Sequence, residues 1–133
     1  MDLSLFEKAA EEGSELHLKD PAGNDLVQPD GAKITIKVAS VTSPRWQKSW
    51  DAVQNKINST KEKRTAEDQR ADRYGMLAAI TLGWTGIELD GKEYEFSVPN
   101  AKKLYIRFPW IAVQVDSHSV NQENFLPASS TSS

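Results

Sequence analysis

Histidines and carboxylates are the side chains of this sequence that could hold a metal ion or transfer a proton. The two histidines, His17 and His118, lie far apart, and neither has a carboxylate or a second histidine at the spacing of a zinc site. Carboxylates occur as neighbours at Glu11-Glu12 and Glu67-Asp68, in charged and solvated surroundings that do not favour acid–base catalysis. We therefore expect no metal site.

The motifs that commonly carry catalysis are missing from the sequence. The absence of cysteine excludes a thiolate metal ligand and a cysteine nucleophile. There is no phosphate-binding glycine loop, no dinucleotide fingerprint and no nucleophile-elbow sequence. Asp90 and Glu93 are a candidate acid/base pair, but Asp90-Gly91 is a strong turn former and explains Asp90 without catalysis. We predict that the chain is not an enzyme and binds no cofactor.

Length and composition predict a single domain. A chain of 133 residues fits one core, and we assign residues 1–126 to a domain and residues 127–133 to a disordered tail of small and polar residues. The formal net charge of −3 disfavours nucleic acid as a partner. No apolar run is long enough to cross a membrane, and no secretion signal opens the sequence. The expected location is the cytoplasm.

The N-terminal third predicts a short helix followed by a small sheet. The helix runs from Ser4 to Gly13, because Ser4 and Glu7 match a capping box and Gly13 suits a stop. This helix either packs on its own domain or is an arm that engages a neighbouring subunit. Alternating apolar residues in Lys33–Val41 predict a strand with one buried face. Two weaker strand signals precede it, the first at Leu16 and Leu18 and the second at Leu26–Gln28. The segments predict an antiparallel meander of two or three strands.

A helix with tryptophans on one face follows the sheet. Ser43 suits its N-cap and Pro44 its first helical position. Two tryptophans one turn apart could form a platform for a ligand or a nucleobase. The interpretation we favour is a face that packs on the core, because apolar residues recur every three or four positions. These residues are Trp46, Trp50, Val53 and Ile57.

Residues Lys56–Arg73 are strongly charged. Both signs are intermixed and no aromatic residue lies between them, which is typical of a solvated loop and helix face rather than a nucleic-acid surface. Thr65 and Asp68 match a capping pattern for a helix over Ala66–Leu82. Its end, Met76–Ile80, is apolar on all sides. It must be covered either by the protein's own core or by a partner.

The C-terminal third predicts a hairpin and two helices. Asp90-Gly91 indicates the hairpin turn. Ser97 caps the next helix, whose apolar face carries Ala101, Leu104 and Tyr105. Pro109 begins a last helix over Trp110–Asn124, although the alternation within residues 110–116 is also typical of a strand. The fold class predicted is α+β, with a small N-terminal antiparallel β-meander packed on a mostly helical C-terminal part of three to four helices.

Several short motifs occur in a fixed order between Tyr74 and Leu126. A helix ends in Gly-Trp, and an acidic turn, two proline-containing helix starts and a terminal Asn-Phe follow. In this order the stretch resembles the tail assembly chaperones of long-tailed, lambdoid-type siphophages. The motifs are Gly83-Trp84, Asp90-Gly91, Glu95-Phe96-Ser97-Val98-Pro99-Asn100-Ala101, Pro109-Trp110 and Glu123-Asn124-Phe125-Leu126.

The resemblance implies a bacteriophage assembly factor that is absent from the mature virion. Such chaperones bind the long tape measure protein and assist polymerisation of the tail tube around it. The expected partners are therefore the tape measure protein, the major tail protein and further copies of the same chain, in the host cell cytoplasm. A small structural virion protein, such as a minor tail or head–tail connector subunit, is the alternative.

A surplus of apolar residues in the same stretch predicts where these partners bind. A receptor for a helical client needs apolar anchors. The apolar end of the predicted helix and the aromatic residues beyond it meet that need. The predicted interface residues are Met76, Leu77, Ile80, Trp84, Trp110 and Phe125.

Overall fold

The computed structural model describes residues 1–127, which form a mixed α+β fold. Of the tail predicted to be disordered at residues 127–133, all but Pro127 lies outside the described residues. The helices are α1 (Ser4–Glu12), α2 (Pro44–Ser59), α3 (Ala66–Ala79), α4 (Val98–Arg107) and α5 (Pro109–Val120), with a 3-10 helix at Gln122–Phe125. The strands are β1 (Ser14–His17), β2 (Thr35–Val38), β3 (Thr81–Thr85), β4 (Glu88–Leu89) and β5 (Lys92–Glu93).

Strands β1, β2 and β3 form an antiparallel sheet in that order. The alternation predicted in Lys33–Val41 is confirmed, since Ile36 and Val38 are fully buried while Lys37 between them is exposed. The connection from β1 to β2 is long and irregular. The strand predicted at Leu26–Gln28 is reduced to an isolated bridge between Val27 and Lys33.

The antiparallel pair β1–β2 confirms two strands of the predicted N-terminal meander, but the third strand of the sheet comes from a segment predicted to be helical. Helix α3 ends at Ala79, and Thr81–Thr85 pairs with β2. A continuous run of apolar residues fits a buried strand as well as a buried helix, because it lacks the periodicity that would distinguish the two. The Thr81 hydroxyl donates to the Leu77 carbonyl over 2.8 Å, which satisfies a carbonyl in the last turn of α3. The Gly83-Trp84 motif therefore lies in β3, not at a helix end.

Most of the predicted helix starts are confirmed. Ser43 caps α2, Thr65 and Asp68 form a reciprocal capping box on α3, and Ser97 caps α4. The predicted cap of α1 is wrong. Ser4 is already helical, and the Asp2 carboxylate accepts hydrogen bonds from the Ser4 backbone N–H and hydroxyl. A carboxylate at a helix start also interacts favourably with the helix dipole.

The last predicted helix is divided in two. Residues 110–116 are helical, as favoured over the strand, but α5 ends at Val120. Asn121 then caps the 3-10 helix by accepting from the Glu123 N–H over 3.2 Å. The hairpin at Asp90-Gly91 is confirmed, and both residues have the positive φ values, 54° and 80°, that this tight turn requires.

The core lies between the sheet and helices α3, α4 and α5. The predicted face of α4 is confirmed, because Ala101, Leu104 and Tyr105 are each 1% exposed or less. The Tyr105 hydroxyl lies 2.7 Å from the Thr81 hydroxyl, so its polar end has a partner inside the core. Burial raises the pKa of Tyr105 far above its ordinary value, which keeps the phenol neutral. Helix α2 lies outside this core and packs mainly on α3.

Candidate protein-interaction site

The six predicted interface residues lie in separate parts of the fold. The end of α3 is covered by the protein's own core, because Leu77 and Ile80 are 1% and 0% exposed. Met76 and Phe125 are also buried, and only Trp84 and Trp110 are partly exposed. In the single chain, four of the six side chains therefore have almost no surface to present to a partner.

Trp84 fixes the β4–β5 hairpin and the segment after it to the sheet. Its indole stacks on Tyr94, with ring centres 5.8 Å apart, and meets the edge of Phe96 at 5.0 Å. The indole Nε1–H donates to the Tyr94 carbonyl over 2.7 Å. These contacts use both the ring and the polar edge of the tryptophan, so they explain Trp84 as a structural residue.

Phe125 packs against a polar cluster around His118. The two rings meet edge to face, with centres 5.7 Å apart, and His118 Nε2 lies 2.8 Å from the Ser14 hydroxyl. The Asn124 amide donates to the His118 carbonyl over 3.0 Å and lies 3.3 Å from Nδ1. Nδ1 is therefore the acceptor and Nε2 carries the proton, which points to Ser14. In this tautomer His118 presents a proton, not a lone pair, to the Ser14 hydroxyl. His118 therefore cannot act as a general base that activates Ser14.

Burial of the imidazole lowers the pKa of His118 from its ordinary value. The hydrogen bond from Asn124 needs the neutral ring, because a protonated Nδ1 could not accept it. The cluster links β1, α5 and the 3-10 helix. Its role in the fold is to hold the C-terminal turn against the sheet.

Trp110 lies at the start of the outer face of α5, where it is partly buried against the edge of the core, and two uncovered valines follow it. The ring of Trp110 meets Phe108 edge to face, with centres 6.2 Å apart. Val113 and Val120 follow on the same side of the helix, at 61% and 54% exposure. We call Trp110, Val113 and Val120 the outer α5 face. The interface residues predicted from the sequence include Trp110 but not the two valines, whose spacing of three and ten residues from Trp110 places them on the same side of a helix.

A groove runs between α2 and α3. It has a volume of about 670 Å³. The apolar stripe predicted to be a core face lies along it, and that prediction is wrong in part: no residue of α2 is buried, and Trp50 is 46% exposed. Only Trp46 reaches the edge of the core. The apolar residues of this α2–α3 groove are Trp46, Trp50, Val53, Ile57, Met76 and Leu77.

Ion pairs occupy the rim of the α2–α3 groove. Asp72 accepts from Lys56 over 3.2 Å and from Arg64, while Arg73 pairs with Asp116 over 3.1 Å. Burial opposes ionisation of Asp72, but the hydrogen bonds from Lys56 and Arg64 outweigh it and lower the pKa of this carboxyl. Both carboxylates on the rim therefore already have cationic partners.

Neither chemistry nor similarity points to another kind of site. In residues 1–127, no group of three or more histidine, aspartate or glutamate side chains is placed to hold a metal ion. No helix in this range is long and apolar enough to cross a membrane. No protein-family model, curated protein or solved structure matches the chain. The uncovered apolar surfaces on α5 and between α2 and α3 are the best candidates for a functional site.

Proposed function

We propose that the chain is a bacteriophage tail assembly chaperone, which binds the tape measure protein and assists polymerisation of the major tail protein around it. It acts in the host cell cytoplasm by protein–protein contacts alone, without catalysis or a cofactor, and associates with itself. The order of short motifs in Tyr74–Leu126 supports this proposal. That stretch also contains the outer α5 face, where a client can bind.

The observation that carries the proposal is the outer α5 face, on which Val113 and Val120 are uncovered. Exposed apolar residues that share one side of a helix commonly mark a protein-interaction site. A long helical client needs such anchors at intervals of three or four residues along a receptor helix. Trp110 and Val113 are three residues apart, and Val120 follows two turns later on the same side of α5, so the face offers an anchor at each end of the helix. The buried residues Leu77 and Ile80 cannot serve without unfolding the core, so we place the client on α5.

A small structural virion protein is the second candidate, and the composition of finished particles separates the two. We expect mass spectrometry to find the chain in lysates of infected cells and to find none in purified virions, because a chaperone leaves before assembly ends. The major tail protein, present in both samples, is the internal control. Recovery of the chain from purified virions at a fixed ratio to the tail tube would identify a structural subunit instead.

A further inference from the structure

An apolar pocket lies where the β1–β2 connection, the β3–β4 turn and the α4–α5 junction meet. Its volume is about 160 Å³. Leu18 and Leu104 form part of its floor and belong to the buried core. Its walls are apolar side chains at the edge of the core that are only partly buried: Leu26, Ile34, Leu89, Phe108 and Trp110. The single chain therefore leaves an apolar space open beside its own core.

A closed ring of three backbone hydrogen bonds holds one wall of the pocket. The Leu18 N–H donates to the Ile34 carbonyl over 3.0 Å, and the Ile34 N–H donates to the Leu26 carbonyl over 3.1 Å. The Leu26 N–H closes the ring by donating to the Leu18 carbonyl over 2.9 Å. The side chain of Gln28 lies against Gly86, where an added Cβ would be 2.8 Å from it. The long connection is therefore fixed to itself and to the β3–β4 turn.

Contacts at the junction of α4 and α5 hold the other wall. The Phe108 and Trp110 rings meet edge to face, and the Ile111 N–H donates to the Phe108 carbonyl over 2.9 Å. The Arg107 guanidinium lies 5.2 Å from the centre of the Phe108 ring and pairs with Asp90 of the β4–β5 turn over 3.1 Å. Because collapse of the walls would break these contacts, the pocket is already formed in the free chain.

The lining selects an uncharged apolar ligand. Apart from Gly86 and Glu88, every residue that lines the pocket has a large apolar side chain. In residues 1–127, no buried side-chain nitrogen or oxygen lacks a hydrogen-bond partner, so no side chain in the pocket requires a polar group. Glu88 is exposed at the opening and opposes the entry of an anion such as a carboxylate.

The size of the pocket limits the ligand to a single ring. An apolar protein cavity of about 150 Å³ stays dry and admits benzene, because water finds no hydrogen-bond partners inside it. Pockets for cofactors and drug-sized molecules measure about 300–1,000 Å³. The volume of about 160 Å³ therefore fits one ring and excludes a nucleotide or a larger cofactor.

We propose that this pocket binds one uncharged apolar group of the size of a benzene ring. The group is supplied by a free aromatic molecule or by the side chain of a bound polypeptide, since both present the same surface to the walls. Trp110 lines the pocket and also belongs to the outer α5 face, so the two sites adjoin. The inference does not depend on the tail-assembly proposal, because it concerns a pocket of the single chain.

Titration of the purified chain with toluene, followed by methyl NMR, tests the proposal. Saturable shifts are expected for methyl groups that line the pocket, such as those of Leu18 and Leu104. Leu26→Phe places a ring in the pocket and is expected to weaken toluene binding by at least tenfold. Val27→Phe is the matched control, because it adds the same ring at an exposed residue that does not line the pocket. Benzoate, which carries a charge, is expected not to bind.

A second ligand separates the two sources of the ring. Displacement of toluene by N-acetylphenylalaninamide would support a side chain carried on a polypeptide, and toluene binding without displacement would support a free molecule. If Leu26→Phe does not fold, Leu89→Phe fills the pocket from another wall. Wild-type spectra without saturable shifts, or with shifts only on methyl groups elsewhere, would overturn the proposal. Folded Leu26→Phe and Leu89→Phe chains that both bind toluene as the wild type does would also overturn it.

Discussion

Replacing Tyr105 with alanine is expected to lower the free energy of unfolding by about 3–5 kcal/mol, the usual cost of deleting a large buried aromatic side chain. Tyr105 is fully buried where α4 meets α3 and β3, and its hydroxyl lies 2.7 Å from that of Thr81. For a domain of this size the loss corresponds to a fall of roughly 10–20 °C in Tm. Urea unfolding followed by tryptophan fluorescence measures it.

The matched control is Tyr105→Phe, which keeps the ring and removes only the hydroxyl. Thr81 can still donate to the Leu77 carbonyl, so no buried donor is left without an acceptor, and we expect a loss of about 1 kcal/mol. The difference between the two variants isolates the packing of the ring. Equal losses in both would show that the hydrogen bond, and not the packing of α4, holds this part of the core together.

Replacing Gly13 with alanine is expected to destabilise the protein by about 3 kcal/mol, while Gly75→Ala is expected to stabilise it by roughly 0.5–1 kcal/mol. Gly13 joins α1 to β1 with φ 75° and ψ −176°, a conformation almost restricted to glycine. A Cβ there would lie 2.5 Å from the Val38 carbonyl oxygen. In α3, a Cβ on Gly75 meets only the Lys102 side chain, at an ordinary 3.8 Å.

The two substitutions are expected to change the stability of the protein in opposite directions, which makes the pair informative. Both add a single methyl group, so their different effects report only the backbone and its surroundings. Thermal unfolding by circular dichroism gives both values under one set of conditions. If Gly13→Ala were as stable as the wild type, the close approach of α1 to the sheet would not exist in solution.

Three helix starts and one turn were predicted correctly, because short sequence motifs mark them. The capping residues Ser43, Thr65 and Ser97 predicted three helix starts, because a side chain that accepts from the first turn is visible within four residues. The turn at Asp90-Gly91 followed from the same kind of short-range chemistry. These predictions needed no knowledge of the rest of the fold.

The errors arose where distant parts of the chain decide the structure. Thr81–Thr85 is a strand because β2 presents an edge to pair with, and nothing within the segment reveals that edge. The stripe from Trp46 to Ile57 was correctly predicted to be helical and amphipathic, but spacing does not show what covers a face. Its partial exposure follows from the position of α2 outside the core.

The candidate site was the hardest part to predict for the same reason. A surplus of apolar residues marks either a core or an interface, and Leu77 and Ile80 belong to the core while Trp110 is only partly buried at its edge. The exposed valines of α5 were not predicted as interface residues, because an isolated valine in a sequence does not show whether it is buried. Only the packing of α5 on its inner face, through Ile111 and Val115, shows that Val113 and Val120 point outwards.

Co-expression with the proposed client, a tape measure protein, is the most direct test of the proposed chaperone function. We expect the tape measure protein to be largely insoluble alone, and to become soluble and co-purify when this chain is present. Val113→Asp on the outer α5 face should abolish both effects in a folded variant, and Val27→Asp, at a comparably exposed valine elsewhere, should abolish neither. A tape measure protein that stays insoluble and unbound beside the folded wild-type chain would contradict the proposed function.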